Sequence, residues 1–339
     1  MGVTAVRLER CSAADVPAAD RYADHTGFQL DEWTAFLRET QHGEPVYARV
    51  VAGGETVGRF SGLVVRRYGL RLLGSPLPGW TTAYLGFNLR SGVARTAAVR
   101  ALEHFALREL GCAHFEVMDR GVDPASAGDA GLRFRTVAGF EIDLARAEDD
   151  ILAGMSSACR RCVRKAAREG VTVEVADDPA FVDDYYTQLQ EVFGRQGLVP
   201  TYPRQRVEAL VRHVAPSGRL LLLRARTRAG ACVATGIFPA ANGLMYFWGG
   251  ASTTGDRLVR PNEAIQWAAM RYWRARGVTR YDMGGGGEYK RKYGGREIAV
   301  PWFRGSRYAV LEPLRSGVRA ARDLRQRLAP ARPRAAPSR

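Results

Sequence analysis

The apolar positions of this chain change period in a fixed order, and the order occurs twice. Residues from Met1 to about Pro45 mix helical and loop signals, with Asp31 placed to cap a helix whose face carries Trp33, Phe36 and Leu37. Val46 to Val51, Val57 to Arg67 and Leu70 to Leu73 then read as strands, separated by turns at Ala52 to Gly54 and at Tyr68-Gly69. The Gly- and Pro-punctuated stretch Gly74 to Gly86 reads as a loop carrying exposed-type aromatics, Trp80 and Tyr84. A helical pattern covers Val93 to Leu110 and is closed by Gly111; Ala113 to Met118 is one more strand.

The second half repeats that order. Ser156 to Glu169 is a basic helix ended by Gly170, followed by a short strand Val171 to Val175 and an amphipathic helix Pro179 to Phe193. Arg219 to Arg226, Ala231 to Phe238 and Leu244 to Trp248 are strands, the last two joined by Asn242-Gly243, a hairpin signal. Pro261 to Arg276 starts with proline and stops before Gly277, as a helix should, and the strand Thr279 to Met283 follows. The fold class this predicts is α+β: two tandem modules, each a mixed, mostly antiparallel sheet flanked by helices. The expected boundaries are 1–150, 151–312 and a basic, disordered tail at 313–339.

Composition agrees with two cores: 339 residues, 46% hydrophobic and 25% charged, are globular and of two-domain size. The excess of 50 Lys and Arg over 35 Asp and Glu gives a net charge of +15, which favours anionic partners. The N-terminus has no apolar leader and no stretch is long enough to span a bilayer, so a cytoplasmic protein is expected. Five cysteines at irregular spacing suggest no disulfide framework. Cys159 and Cys162 form a CxxC without a partner pair or histidine nearby, so no metal is expected.

Chemistry concentrates in Tyr281 to Gly295, YDMGGGGEYKRKYGG. Four glycines let the backbone approach a ligand closely, and Tyr289, Lys290 and Tyr293 set one ammonium between two aromatic rings. No helix signal follows the glycines, so they read as clearance for a ligand rather than as a phosphate cradle. Asp119 and Asp282 end the corresponding strands of the two repeats. Each is a candidate base for an incoming ammonium, or a turn cap or arginine partner. No G-x-S-x-G, H-E-x-x-H or Walker A sequence is present, and the five histidines are scattered.

Three stretches resemble the FemABX family of peptidyltransferases, the tandem branch of the GNAT fold. Arg161 to Val171, RCVRKAAREGV, is similar to the family's basic helix entering the second module. Tyr246 to Tyr272 looks like the strand, loop and helix after it, and Tyr289 to Gly294, YKRKYG, resembles F-K-x-x-F-G with Tyr for both Phe. The resemblance implies an aminoacyltransferase that moves an amino acid from aminoacyl-tRNA onto the amine of a peptidoglycan precursor or a small peptide. It implies no cofactor, the charged tRNA being a co-substrate. Lys290 would lie near the reacting ester, and Tyr289 would orient it or stack on the terminal adenosine. Arg160, Arg161, Arg164, Lys165, Arg291 and Lys292 would meet tRNA phosphates, and a monomer is expected. Trp80 and Tyr84 are candidates for an acceptor groove, or for aromatics folded back on the core.

Two alternatives stay open. An acyl-CoA N-acyltransferase would grip a pyrophosphate near Gly249 to Asn262, where the compact R/Q-x-x-G-x-G/A loop is missing but Arg257, Arg260 and Asn262 could hold a phosphate at the helix start. A non-catalytic RNA- or nucleotide-binding protein of the same fold would use the same basic helix.

Overall fold

A computed structural model describes residues 5–18, 21–253 and 255–308. The expected basic tail lies outside the described residues, as does the side chain of Arg257.

The first half contains strands β1 (Val6–Cys11), β2 (Glu44–Ala52), β3 (Glu55–Arg67), β4 (Leu70–Ser75), β5 (Phe87–Leu89), β6 (His114–Met118) and β7 (Arg133–Asp143). Its helices are α1 (Asp31–Gln41) and α2 (Arg95–His104), the latter prolonged by a π turn, Phe105–Glu109. The second half contains α3 (Glu148–Gly154), α4 (Ser157–Arg168), β8 (Thr172–Val175), α5 (Phe181–Gly194) and α6 (Arg204–Val214). It continues with β9 (Leu220–Arg226), β10 (Cys232–Ala241), β11 (Leu244–Tyr246), β12 (Gly249–Ser252), α7 (Pro261–Arg274), β13 (Arg280–Gly285) and β14 (Arg296–Ser306).

The local reasons are those the sequence suggests. Ser156 accepts the Cys159 amide at 3.2 Å and caps α4, and Gly170, at φ 76°, terminates the turn after it. Asn242 and Gly243 both adopt positive φ, as a two-residue hairpin between β10 and β11 requires.

The strands form one sheet in the order β1-β2-β3-β4-β6-β14-β7-β13-β11-β10-β9-β8, with β5 on β3 and β12 on β10. In each half the antiparallel strands lead to one parallel pair, β4 with β6 and β11 with β13, whose crossover contains α2 or α7. The two halves are knitted together. β14, the last strand, runs back between β6 and β7, and β7, the last strand of the first half, pairs with β13 of the second.

Three clusters of buried side chains follow from this layout. One packs α2 on the first half of the sheet, around Phe60, Leu102 and Phe115; a second packs α4 and α7 on the other half, around Phe238, Met270 and Tyr281. The third joins the halves: Phe28, Trp33 and Trp80 from the first meet Tyr185, Leu210 and Trp248 from the second.

Several expectations need correction. The N-terminal region contains a regular edge strand, β1, and the stretch expected to be all loop from Gly249 opens with β12. β7 and β14 carry the junction and have no counterpart in the sequence reading. Trp80 and Tyr84 are not exposed loop aromatics: they are 2% and 5% accessible. Trp80 lies against Gly74, where an added Cβ would meet its ring at 2.5 Å, so the loop after β4 is folded into the core.

Candidate active site

The site forms where a parallel pair of strands separates. β11 and β13 are paired from Leu244↔Arg280 to Tyr246↔Asp282, and the Phe247 amide donates to the Asp282 carbonyl at 2.9 Å. Beyond that point β12 pairs with β10, whereas β13 continues beside β7 through an irregularity between Asp282 and Gly285. The gap is bordered by Phe247 on one side and by Gly284 and Gly285 on the other. Gly284 is required there: its φ is 73°, and a Cβ would lie 2.9 Å from the Tyr246 hydroxyl.

A short 3-10 turn, Glu288–Tyr293, begins directly after the glycines, contrary to the reading that none would. It closes through the Lys290 amide, which donates to the Gly287 carbonyl at 2.8 Å, and it swings the Lys290 side chain back under the strand end. The ammonium donates to the carbonyls of Met283 and Gly285, both at 2.6 Å. It lies 5.9 Å from the Phe247 ring centroid and 5.8 Å from that of Tyr289. The two rings around the ammonium are therefore Phe247 and Tyr289. Tyr293 is turned into the core below α4 and α7, with the Lys292 ammonium 5.1 Å from its ring, and is not one of the rings beside the Lys290 ammonium. Lys290 is 8% accessible, and burial pushes its pKa down to about 8, a shift that the negative charge of Asp282 opposes.

Asp282 is completely buried. One carboxylate oxygen accepts the Tyr84 hydroxyl at 2.7 Å and an Arg120 N–H at 3.4 Å; the other accepts the Gly284 amide at 2.8 Å. Burial raises its pKa, against the pull of Tyr84 and Arg120. Arg120 also donates to Glu141, which accepts Arg296 at 2.6 Å, and its guanidinium lies 5.3 Å from the Tyr84 ring. With every oxygen engaged and no surface, Asp282 anchors the strand end and the Gly284 amide rather than meeting a substrate amine. Tyr84 enters the site from behind, as its partner.

Asp119 is not the counterpart of Asp282. The parallel ladders begin Leu72↔His114 and Leu244↔Arg280, so Tyr281 matches Phe115 and Asp282 matches Glu116, which is buried beside His114. Asp119 lies past the strand end, gripped by Arg95 at 3.0 Å and by the Gly121 amide at 2.8 Å.

The other expected residues are dispersed. Arg260 is exposed, with φ 59°, at the start of α7, and Asn262 donates to the Ser252 hydroxyl at 3.1 Å. Of the basic set, Arg160 donates to the Ala153 carbonyl at 2.8 Å, Lys292 pairs with Glu263 at 2.7 Å, and Arg291 pairs with Glu288 and Glu297. Arg161, Arg164 and Lys165 project from α4 with no polar partner among the described residues. Phe247 and Arg120 were missed by sequence reasoning. Phe247 was in the quoted strand beside Tyr246, but Arg120 meets Asp282 across 162 positions with no local signal.

Solved structures share this fold. The crystal structure of FemX superposes with a TM-score of 0.65 at 15% identity, covering 84% of this chain and 93% of that one. The structure of L-PGS from Bacillus licheniformis gives 0.53 at 12% identity, covering 88% and 97%. A tandem GNAT protein from the clavulanic acid biosynthesis pathway gives 0.50 at 14%, covering 89% and 98%. This chain has the tandem GNAT fold. The family described as "Acetyltransferase (GNAT) domain" matches residues 154–293, the module that contains Lys290. No curated protein matches the chain in sequence. In this module the ammonium of Lys290 stands where β13 parts from β11 and β12. No described helix is long and apolar enough to cross a membrane.

Proposed function

We propose that this chain is an aminoacyl-tRNA-dependent aminoacyltransferase that forms an amide bond on the amine of a small peptide or a peptidoglycan precursor, working as a cytoplasmic monomer without a cofactor. The observation that carries the reading is the state of the Lys290 ammonium. Two of its three N–H groups are held by the Met283 and Gly285 carbonyls, which leaves one donor for a ligand.

In the reaction the amine nitrogen attacks the ester carbonyl carbon, and the C=O π electrons move to oxygen. The remaining N–H of Lys290 donates to that oxyanion, already oriented and largely out of water, which is where a donor lowers a barrier most. Collapse re-forms the carbonyl and breaks the ester C–O bond. The ribose oxygen leaves with a proton and the new amide nitrogen gives one up. An ester is activated enough that positioning and charge stabilisation suffice without a nucleophilic side chain. Tyr289, 56% exposed on the rim, offers a ring to a terminal base, and Arg161, Arg164 and Lys165 offer unpaired charge to phosphates. The resemblance of YKRKYG to the FemABX motif supports the same donor.

Acyl-CoA as donor is the second reading, favoured by the GNAT acetyltransferase match over residues 154–293. Substitution of Lys290 by Ala tests the site in either case. Transfer is expected to fall on the order of 10²- to 10³-fold, with tRNA binding kept within a few-fold; full activity in that variant would remove Lys290 from the mechanism.

A further inference from the structure

A cleft of about 480 Å³ opens beside the transfer site, where β14 begins and leaves the last residues of β7 paired with β13 alone. Arg146, Arg280 and Arg296 line it, with Glu141 and Asp143. Glu141 is already occupied by Arg120 and Arg296. Asp143 stands opposite Arg280 in the β7–β13 ladder, where unlike charges ordinarily pair. Instead it accepts the Ala145 amide at 2.9 Å and turns the chain toward α3. Arg280 and Arg146 are thereby left with guanidinium groups that have no polar partner among the described residues. Burial and the nearby charge of Arg120 push the Arg280 pKa down, as befits a cation short of counter-charge.

We propose that this cleft binds the phosphate groups of a nucleotide-sized phosphorylated small molecule, held by the planar forks of Arg146, Arg280 and Arg296. Planar guanidinium groups match phosphate oxygens two at a time, and the volume lies within the range of small-molecule sites. A polynucleotide is a poorer occupant, because the first turn of α3 presents Glu148, Asp149 and Asp150 to anything extended along that rim. Tyr293 and Gly294, three and four residues past Lys290, also line the cleft, so the ligand would be held by the module that carries the transfer site.

Calorimetric titration of the full chain with inorganic pyrophosphate tests the proposal, with citrate as a carboxylate anion and uncharged tRNA as competitor. Saturable pyrophosphate binding is expected, weakened at least about tenfold in Arg280→Gln and in Arg146→Gln. Arg38→Gln, on the exposed face of α1, is expected to bind as the wild type does. Thermal unfolding of the variants checks that their fold is kept. The assignment is overturned by absent pyrophosphate binding, by equal binding of citrate, by an equal loss in Arg38→Gln, or by undiminished binding in both cleft variants. Displacement by equimolar tRNA would overturn the small-molecule class in favour of RNA. The readout is binding, so its outcome is independent of which donor the transfer reaction uses.

Discussion

Replacing Lys290 by Met removes a buried charge whose pH dependence can be worked from the structure. The ammonium is held at a pKa of about 8 in the folded chain, against the ordinary 10.5, because burial disfavours its charged form. Below pH 8 both folded and unfolded chains carry the proton, and the full cost of burying the charge is present. Between pH 8 and 10.5 the folded chain has released the proton and the unfolded chain has not, so stability rises with pH. The rise approaches ~1.4 kcal/mol per pH unit and totals about 3 kcal/mol, reaching its plateau above the unfolded pKa. Lys290→Met lacks this term, although it leaves the Met283 and Gly285 carbonyls without their donor at every pH. Urea unfolding of both proteins at intervals from pH 7 to pH 10.5 isolates the effect as a difference. The wild type should gain on the variant by about 3 kcal/mol across that window. Parallel stability curves would refute the reasoning and mean that Lys290 is solvated at its ordinary pKa.

Other predictions follow from the same geometry. Tyr84→Phe removes the hydroxyl donated to buried Asp282 at 2.7 Å and should cost about 1–3 kcal/mol in unfolding free energy while lowering transfer, measurable on one sample by denaturation and by rate. Trp80→Ala should cost about 3–5 kcal/mol with the acceptor KM unchanged at temperatures where the variant is folded, since the indole fills core against Gly74. Gly294→Ala should destabilise by more than ~2 kcal/mol: the residue has φ 81°, and its Cβ would lie 2.4 Å from the Gly154 carbonyl oxygen. Arg161→Ala and Arg164→Ala should leave stability within about 0.5 kcal/mol and each reduce the salt slope of tRNA binding by about 1. Equal slopes in a filter-binding series would remove α4 from the tRNA contact.

What the sequence made legible was local. The hairpin at Asn242-Gly243, the stop of α4 at Gly170 and the proline start of α7 are each set by backbone preferences of one or two residues. β14 was not legible. Its partners, β6 and β7, lie more than 150 positions away, and the strand is half-buried between them without a clear alternation. β1 is a short edge strand whose charged residues dilute its period of two.

At the site, Lys290 stood out because glycines and aromatics surround it, but its neighbours did not. Tyr293 looked like half of an aromatic clamp because it is three residues away; the 3-10 turn carries it into the core and leaves that place to Phe247. Asp119 looked like the twin of Asp282 because both follow an apolar run, whereas the ladder registers select Glu116. The burial of Trp80 and Tyr84 depends on the other module, whose Asp282 and interface core a reading of the loop alone does not supply. Pairing also thinned the expected basic surface: Arg160, Arg291 and Lys292 serve turns and carboxylates, and the unpaired stripe is Arg161, Arg164 and Lys165.

The central claim is that an aminoacyl-tRNA ester reacts at the gap between β12 and β13. The wild-type chain, given a radiolabelled mixture of aminoacyl-tRNAs or labelled acyl-CoA against a panel of amine acceptors, tests it most directly. Label should move from tRNA into an amide product, and ribonuclease treatment of the donor should abolish the transfer. Transfer from acyl-CoA alone, unaffected by ribonuclease, would contradict it.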